Sequence, residues 1–378
     1  MKIPYFDCAA TTPVDPRVIE AMLPLMGPDG AFGNPASTHS YGVAASMAVG
    51  ASREAIAELL HAEPREIIFT SGATESDNLA LKGVAAGHPG MHIVTTAIEH
   101  RAVLDPAAVL EAAGHPVTRV LPAADGHVDV EGIAAALRPD TGLVSVMHAN
   151  NETGAINDVA AIAALCHARG VVFHSDAAQS FGKLALDVRS VPVDLLSFTA
   201  HKIYGPKGIG ALYVRRRGGP RLVAQMHGGG HEHGLRSGTL ASHEIVGFGA
   251  ACELMAQEHN AENERLVALR DRLWAGVAAV GGVQRNGTDL VLPGHLNITV
   301  DGVSGELLLR AVSSAMAVSS GSACNAASVE PSHVLIAMGR TPLQARASLR
   351  FSLGRFNTMA EVEGAVARFA DIVTRLRS

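Results

Sequence analysis

Short apolar runs alternate with amphipathic stretches through the first two thirds of the chain. The runs lie at 67–69, 92–95, 117–121, 143–148, 171–174 and 195–198, and the amphipathic stretches at 77–86, 101–113, 130–137 and 158–169. Short apolar runs are typical of buried strands, and amphipathic stretches are typical of helices that cover a sheet. The alternation therefore predicts an α/β fold whose sheet is mostly parallel.

The remaining third of the chain has a different pattern. Residues 240–280 are rich in Ala, Leu and Glu, which predicts either one long linking helix or two consecutive helices. Strand and helix patterns then alternate at 296–300, 307–313, 316–319, 333–338, 348–353 and 359–376. We predict a large domain over 15–260 and a smaller α+β domain formed by 1–14 and 261–378.

Composition indicates a globular protein and narrows its partners. The chain has 378 residues, of which 48% are hydrophobic and 17% charged, and its net charge is −6. This mild acidity gives no reason to expect nucleic acid, and no apolar stretch predicts a membrane span. Residues 1–15 contain no apolar core of signal-peptide length, so we expect a cytoplasmic protein. The four cysteines form no C-x-x-C pair, and we predict no metal site.

Lys202 follows the apolar run 195–198 directly after Thr199, Ala200 and His201, and it is one of only five lysines. A buried ammonium is costly unless it is paired or neutralised. A lysine whose pKa is lowered becomes a nucleophile that forms Schiff bases with carbonyl cofactors. The alternative is a lysine just past a strand end that points to solvent.

Polar residues also follow three of the other predicted strands. Gly72 and Thr74 come after the run 67–69 and open a helix, as in a phosphate site at a helix N-terminus or an ordinary Ser/Thr cap. The segment has neither a P-loop nor a G-x-G-x-x-G pattern, so neither a nucleoside triphosphate nor a dinucleotide is indicated. Asp176 and Gln179 are candidates for the nitrogen and the hydroxyl of a pyridine ring, and Asp176 is alternatively a helix N-cap. His100 is a candidate for ring stacking or proton transfer, or is simply structural.

Three further features lie towards the C-terminus. Cys324 is surrounded by small polar residues that cannot form a core, which indicates an accessible thiol or an incidental cysteine in a loop. Arg350 lies in the run 348–353 and would suit a substrate carboxylate if it points inward. The histidines of 227–233 lack the spacing of a metal motif, and a glycine-rich loop near a phosphate or a subunit contact is the favoured interpretation. Together, a phosphate cradle, an acid, a lysine, an arginine and a thiol describe pyridoxal-phosphate chemistry on an amino acid.

At these residues the chain resembles the cysteine desulfurases of the NifS/IscS type, within the class V pyridoxal-phosphate-dependent aminotransferases. The resemblance covers nearly the whole chain and is carried by Asp7-x-Ala9-Ala10-Thr11-Thr12-Pro13, Gly33-Asn34-Pro35-Ala36-Ser37, Thr70-Ser71-Gly72-Ala73-Thr74-Glu75-Ser76, His148-x-Asn150-Asn151-Glu152, the segments of Asp176 and His201-Lys202, Arg236-Ser237-Gly238-Thr239, and Ser319-Ser320-Gly321-Ser322-Ala323-Cys324. It implies the type I pyridoxal-phosphate transferase fold, as a homodimer.

The resemblance also implies roles for individual residues. Pyridoxal 5'-phosphate would be held by a Schiff base to Lys202. Its other contacts would be Ala73, Thr74, Thr199 and His201 at the phosphate, Thr239 from the partner subunit, Asp176 at the ring nitrogen, Gln179 at the ring oxygen, and His100 stacked on the ring. Asn34, Asn151 and Arg350 would bind the substrate carboxylate or cofactor oxygens.

The implied reaction converts L-cysteine to L-alanine. Lys202 would move the α-proton, and Cys324 would attack the substrate sulfur and become a persulfide. An iron–sulfur scaffold or another sulfur-acceptor protein would then receive the sulfur. A selenocysteine lyase or an aminotransferase on the same fold is the alternative, and a non-catalytic protein that binds a partner is a more distant one.

Overall fold

The computed structural model describes residues 3–320 and 330–378. Within these residues the largest sheet has seven strands in the order β1-β7-β6-β5-β4-β2-β3. The strands are β1 (Ile67–Thr70), β2 (His92–Thr96), β3 (Val117–Val120), β4 (Thr141–Ser145), β5 (Val172–Asp176), β6 (Leu195–Thr199) and β7 (Gly210–Val214). Strands β3, β2, β4, β5 and β6 are parallel. The predicted α/β fold with a mostly parallel sheet is confirmed.

Strand β7 was missed by the sequence analysis. It is antiparallel to both of its neighbours, β1 and β6. Antiparallel neighbours can be joined by a short connection, whereas parallel neighbours need a crossover that usually contains a helix. Because no helical pattern separates 195–198 from Gly210–Val214, the alternation that revealed the other strands did not reveal this one.

Helices cover both faces of the sheet, so its strands are buried on both sides. One face packs against α3 (Ala73–Ala85) and α4 (Arg101–Ala112). The opposite face packs against helices that include α2 (Ser40–Leu60), which the sequence analysis missed, α5 (Val130–Ala136) and α6 (Val159–Ala168). A short α1 (Pro16–Met22) begins after Asp15, whose carboxylate accepts from the N–H of Arg17. No helix in the described part of the chain is long and apolar enough to cross a membrane.

A single helix, α7 (Ser242–Ala278), occupies the region for which one or two helices were predicted. Its first half, including Phe248, packs in the core of the large sheet, and its second half, including Leu273, packs in a second core. The predicted boundary at 260 therefore falls inside one continuous helix. Val334 and Leu335 pack in the core of the large sheet, although the predicted small domain includes them.

The second core is built on a three-stranded antiparallel sheet in the order β10-β9-β8. Its elements are β8 (Val283–Arg285), β9 (His295–Val300), α8 (Gly305–Ser313), β10 (Ser348–Ser352) and α11 (Met359–Arg377). The two short helices between α8 and β10, α9 (His333–Ala337) and α10 (Pro342–Arg346), pack instead on the core of the large sheet. The strand predicted at 316–319 forms only isolated bridges, from Ala317 to Tyr5 and from Ser319 to Arg350. The N-terminal segment thus lies against the second core, where Phe6 is buried.

Two neighbouring leucines of α8 provide a test of this second core. Leu308 is 0% exposed and Leu307 is 53% exposed. We expect Leu308→Ala to lower the free energy of unfolding by about 2–5 kcal/mol because it leaves a cavity. The matched change Leu307→Ala should stay within about 0.5 kcal/mol. Urea unfolding followed by the fluorescence of Trp274, the only tryptophan, measures both because this residue packs on the same core. Equal losses would contradict the assigned packing.

Candidate active site

The carboxyl ends of the parallel strands open into a cavity of about 610 Å³. This is the edge at which open α/β sheets bind ligands. Ten of the residues predicted from the sequence line it, namely Ala73, Thr74, His100, Asn151, Asp176, Gln179, Thr199, His201, Lys202 and Arg350. The fold therefore brings together residues that are up to 277 positions apart in the sequence, from Ala73 to Arg350.

Three predicted residues are not among those that line this cavity. Asn34 lies at a separate, smaller cavity with Arg53 and His231. Thr239 is exposed on the segment that follows His231. Cys324 lies outside the described residues, so its predicted role stays a prediction.

Lys202 ends a short turn that directly follows β6. Its Nζ donates a hydrogen bond to the carbonyl oxygen of Ala9. Burial, together with the positive charge of Arg350, lowers the pKa of the Lys202 ammonium to about 7, and the negative charge of Asp176 opposes this change. A lysine with such a pKa is substantially neutral near physiological pH, and the neutral amine is the form that attacks an aldehyde.

A phosphate cradle is formed by the turn between β1 and α3. Gly72 has a φ of +151°, a conformation that side chains rarely adopt. A Cβ on Gly210 would come within 2.6 Å of the Cα of Gly72, so both positions require glycine. The first N–H groups of α3, from Ala73 onwards, have no partner inside the helix and carry the positive end of its dipole. An anion fits this end of the cavity.

The cradle is held by an ion pair that the sequence analysis did not predict. Arg236 Nε lies 2.8 Å from Glu75 Oε1, and Glu75 Oε2 accepts from the N–H of Ser71 at 2.8 Å. The pair ties the segment that contains Thr239 to the first turn of α3. On the cavity side, Nδ1 of His201 lies 3.1 Å from the hydroxyl of Thr11.

Asp176 and Gln179 both line the cavity. Asp176 Oδ1 accepts from the N–H of Ala178 at 2.8 Å, and Oδ2 is not used by that bond. No helix lies between β5 and β6, a stretch that the structure describes throughout, so the alternative interpretation of Asp176 as a helix N-cap is wrong. Gln179 Nε2 donates to the carbonyl of Ala9 at 2.9 Å, and its buried Oε1 has no hydrogen-bond partner among the described residues. Both side chains retain polar atoms for a ligand.

His100 caps α4 and also lines the cavity. Its Nδ1 accepts from the N–H of Ala102 at 3.1 Å. Burial lowers the pKa of His100, although the nearby Asp176 opposes this change. The ring is therefore favoured in its neutral form, which suits both stacking on a flat ring and the acceptance of a proton.

Arg350 is 2% exposed, lies on β10 of the smaller sheet and lines the cavity. Its Nη1 donates to the carbonyl of Asn151 at 2.8 Å and its Nη2 to Asp7 Oδ1 at 2.7 Å. The Nε–H is buried without a partner in residues 3–320 and 330–378. Because a buried unpaired donor is costly, this group is suited to an anionic ligand such as a carboxylate.

The sequence analysis missed several buried acids around the site. Glu152 lines the cavity and accepts from the hydroxyl of Ser332. Glu99 accepts from Thr96 Oγ1 at 2.7 Å and from the N–H of Met147 at 2.9 Å, and burial raises its pKa to about 8. Asp77 also lines the cavity. Each of these acids follows a strand or opens a helix, in a motif that drew attention because of another residue. This position was the only signal in the sequence.

The cavity has the groups that pyridoxal 5'-phosphate requires. An amine with a lowered pKa, a glycine-lined helix N-terminus and a buried acid correspond to its aldehyde, its phosphate and its ring nitrogen. The unpartnered Oε1 of Gln179 and Nε of Arg350, among the described residues, leave polar capacity for the cofactor and a substrate. The residues present therefore fit this cofactor.

Comparisons with known proteins agree with this geometry. Residues 4–364 match the aminotransferase class-V family. Cysteine desulfurase IscS of Methylococcus capsulatus is 54% identical over 382 residues, which cover 100% of this chain and 94% of the relative. IscS of Stutzerimonas stutzeri is equally similar, with 54% identity and the same coverage.

Solved structures give the same result. A structure named "NIFS-LIKE PROTEIN" has a TM-score of 0.92 and 35% identity, and covers 99% of this chain and 100% of its own. A structure described as "SspA in complex with cysteine" has a TM-score of 0.85 and 39% identity, and covers 94% of this chain and 100% of its own. The predicted family and cofactor are confirmed: the chain belongs to the class-V aminotransferases, which are pyridoxal-phosphate-dependent enzymes.

Proposed function

We propose that this chain is a cysteine desulfurase, which removes the sulfur of L-cysteine and passes it through Cys324 to an acceptor protein. The observation that carries the proposal is one cavity in which Lys202, Asp176 and Arg350 converge. The 54% identity to a cysteine desulfurase over the whole chain supports it. A structure similar to this chain is described as a complex with cysteine, which supports the same substrate.

In the proposed reaction the thiol of Cys324 is the first acceptor of the sulfur. The thiol of Cys324 and L-cysteine give a persulfide at Cys324 and L-alanine. The C–S bond of the substrate breaks and an S–S bond forms, so the sulfur is oxidised and the carbon is reduced. Of the two thiol protons, one stays on the persulfide and the other goes to the β-carbon, which becomes the methyl group of alanine. When bound, pyridoxal phosphate supplies an electron sink for the substrate's α-carbon.

The residues of the cavity divide the remaining work. The Nε–H of Arg350, buried and unpartnered among the described residues, binds the substrate carboxylate and orients the α-carbon towards Lys202. Lys202, whose amine is neutral above about pH 7, takes and returns the α-proton. With the cofactor bound, Asp176 would hold a proton on the ring nitrogen, and His100 would stack on the ring and exchange protons with the substrate. Ala73, Thr74, Thr199 and His201 hold the phosphate.

The sulfur acceptor is proposed from the resemblance to NifS/IscS-type desulfurases. We propose an iron–sulfur scaffold or another sulfur-acceptor protein. The described ends of the segment that contains Cys324 support transfer from this site. Ser319 is bridged to Arg350, and Glu330 lines the cavity.

Lys202 is the proposed point of cofactor attachment. We expect the purified protein to absorb at roughly 390–420 nm, and Lys202→Ala to lose this band because no amine remains to bind the aldehyde. Lys207→Ala is the matched control, since Lys207 lines the same cavity. Addition of pyridoxal phosphate to the apoprotein, reduction with borohydride and peptide mass spectrometry should find the label on Lys202. Because its pKa is lowered to about 7, labelling should slow about tenfold for each pH unit below that value. Loss of the band only in Lys207→Ala would contradict the assignment.

Cys324 distinguishes a desulfurase from the alternatives. We expect Cys324→Ala to keep the cofactor band but to lower the release of alanine and sulfide from L-cysteine about 100-fold or more, because the nucleophile is lost. Cys166→Ala is the control, since Cys166 is buried in the core of the large sheet. Full sulfide release by Cys324→Ala would reject the proposed acceptor. Cofactor turnover to its amine form with an amino-acid substrate would instead indicate an aminotransferase.

A homodimer is proposed from the residues that lie away from the main cavity. Asn34 borders a second cavity with Ser46 and Gly50 of α2 and with His231. On the same helix, Met47 is 71% exposed and Val43 is also exposed. An exposed apolar face beside polar residues of unassigned function is typical of a subunit contact. A partner placed on this face would explain why Asn34 and Thr239 resemble site residues but lie outside the cavity of one chain.

Sedimentation measures this proposed contact directly. The protein should sediment at twice the mass of one chain, and Met47→Glu should shift it towards the single-chain mass because a charge would be buried at the interface. Leu343→Glu is the control, since Leu343 is 79% exposed and belongs to a different helix, α10. A single-chain mass for the unchanged protein would reject the homodimer.

A further inference from the structure

A row of polar side chains crosses the face of the large sheet that packs on α3. Ser145 of β4, His174 of β5 and Ser197 of β6 are all 0% exposed. Ser145 Oγ lies 2.8 Å from His174 Nδ1, and His174 Nε2 lies 2.9 Å from Ser197 Oγ. Strands of a parallel sheet covered on both faces are usually apolar. Buried polar side chains are costly unless they form hydrogen bonds, so a row of them inside this sheet is unusual and indicates a specific role.

The row faces Asp77, which lies in the second turn of α3. Asp77 is 0% exposed, and its Oδ1 is 3.5 Å from His174 Nε2. Neither of its carboxylate oxygens has a hydrogen-bond partner within residues 3–320 and 330–378. The residue lines the cavity together with Asp176. Asp77 is therefore a buried carboxyl at the wall of the active site, close to His174 and to Ser197, which lowers the pKa of Asp77 against the effect of burial.

Asp77 and Asp176 influence each other. Burial raises the pKa of Asp77 to about 7. Burial raises the pKa of Asp176, and the negative charge of Asp77 raises it further. His174 and Asp176 are two residues apart on β5, so both point to the face of the sheet that α3 covers. Burial lowers the pKa of His174 to about 4, so this imidazole is neutral and does not compensate the two acids. Two buried carboxyls in this arrangement favour a state with one shared negative charge.

Other elements contribute further titratable groups to this region. Helix α3 packs on α4 and on strands β1, β4, β5, β6 and β7. Strands β1, β4 and β6 have no titratable side chain, and Tyr213 of β7 belongs to the core of the opposite face. The charged residues of α4 are paired at the surface, namely Arg101 with Asp105 and Glu111 with Arg119. One of these groups is Glu99, which precedes α4 and whose pKa is raised mainly by burial and further by Asp176 and Asp77. The others are His100, the N-cap of α4, and Lys202, which line the same cavity and interact electrostatically with Asp176.

We propose that Asp77 is a positioning residue that acts on the cofactor ring through Asp176. In the working state Asp77 keeps its proton, so that Asp176 holds the single negative charge that faces the ring nitrogen. When Asp77 ionises at higher pH, a second negative charge appears in the same buried region. This charge would hold protons more tightly on the ring nitrogen and on the Lys202 nitrogen that is bonded to the cofactor. This inference rests on the proposed function for the presence of the ring.

The test uses the absorbance of the holoenzyme as a function of pH. In the unchanged protein the band of the bound cofactor should titrate with a midpoint above the range in which Asp77 loses its proton. Asp77→Asn has nearly the same shape but cannot ionise, so the second charge never forms. We expect its midpoint to be lower by about one pH unit. Asp371→Asn, at the exposed surface of α11, should leave the midpoint unchanged.

A spectral midpoint equal in Asp77→Asn and the unchanged protein, or higher in the variant, would overturn the proposal. If Asp77→Asn fails to fold or to bind the cofactor, infrared spectra of the unchanged holoenzyme labelled with carbon-13 aspartate provide the second measurement. The band of a protonated aspartic acid should be present at about pH 6 and absent at about pH 8, which lie on either side of the pKa of Asp77. The lack of any protonated aspartic acid at the lower pH would also overturn it.

The two proposals fail in different ways. If the unchanged protein carries no cofactor band at all, the proposed function is wrong. If the band is present and depends on Lys202 but its midpoint does not respond to Asp77→Asn, only the role of Asp77 is wrong.

Discussion

The burial of ionisable groups at the carboxyl edge of the large sheet is the constraint on which the rest of the site depends. Lys202, Asp176 and His100 all line one cavity, and burial is the largest cause of the pKa change in each. Burial favours the neutral form of each group: it lowers the pKa of the lysine and the histidine and raises that of the acid. The properties of the proposed reactive amine, the proposed proton partner of the ring and the proposed stacking imidazole thus share one physical origin.

The N-terminal segment holds this edge together. The carbonyl of Ala9 accepts hydrogen bonds from Lys202 Nζ and from Gln179 Nε2. The hydroxyl of Thr12 donates to the carbonyl of His201 and accepts from the N–H of Tyr204, so it clamps both sides of the lysine's turn. Two residues earlier than Ala9, Asp7 pairs with Arg350 and is bridged to β10. A segment of about ten residues therefore joins the lysine of the large sheet to the arginine of the small one. The relative positions of these two groups decide whether a substrate held at its carboxylate presents its α-carbon to the amine.

Much of the fold was predictable because the parallel strands and their crossover helices repeat a simple pattern. The turn at Gly72, the acid at Asp176 and the lysine at Lys202 each follow a strand, which is a local signal in the sequence. Strand β7 lacked that signal because its antiparallel pairing needs no helix. The run at 316–319 forms isolated bridges instead of the predicted strand, and the partners in these bridges, Tyr5 and Arg350, come from distant parts of the chain. Asp7 and Arg236 were within noted motifs, but their partners, Arg350 and Glu75, lie far away in the sequence.

The sequence by itself determined the α/β architecture, the cofactor and the identity of most groups at the site, because these depend on residue types at strand ends and on motifs of a few residues. Only the tertiary structure decided which groups are buried together and which are paired. The pKa of Lys202, the unpartnered Nε of Arg350 among the described residues, and the facing of Asp77 on His174 all follow from contacts between elements that are far apart in the chain. The physical reason is that desolvation and Coulomb interactions depend on distance in space, whereas a sequence pattern records only distance along the chain.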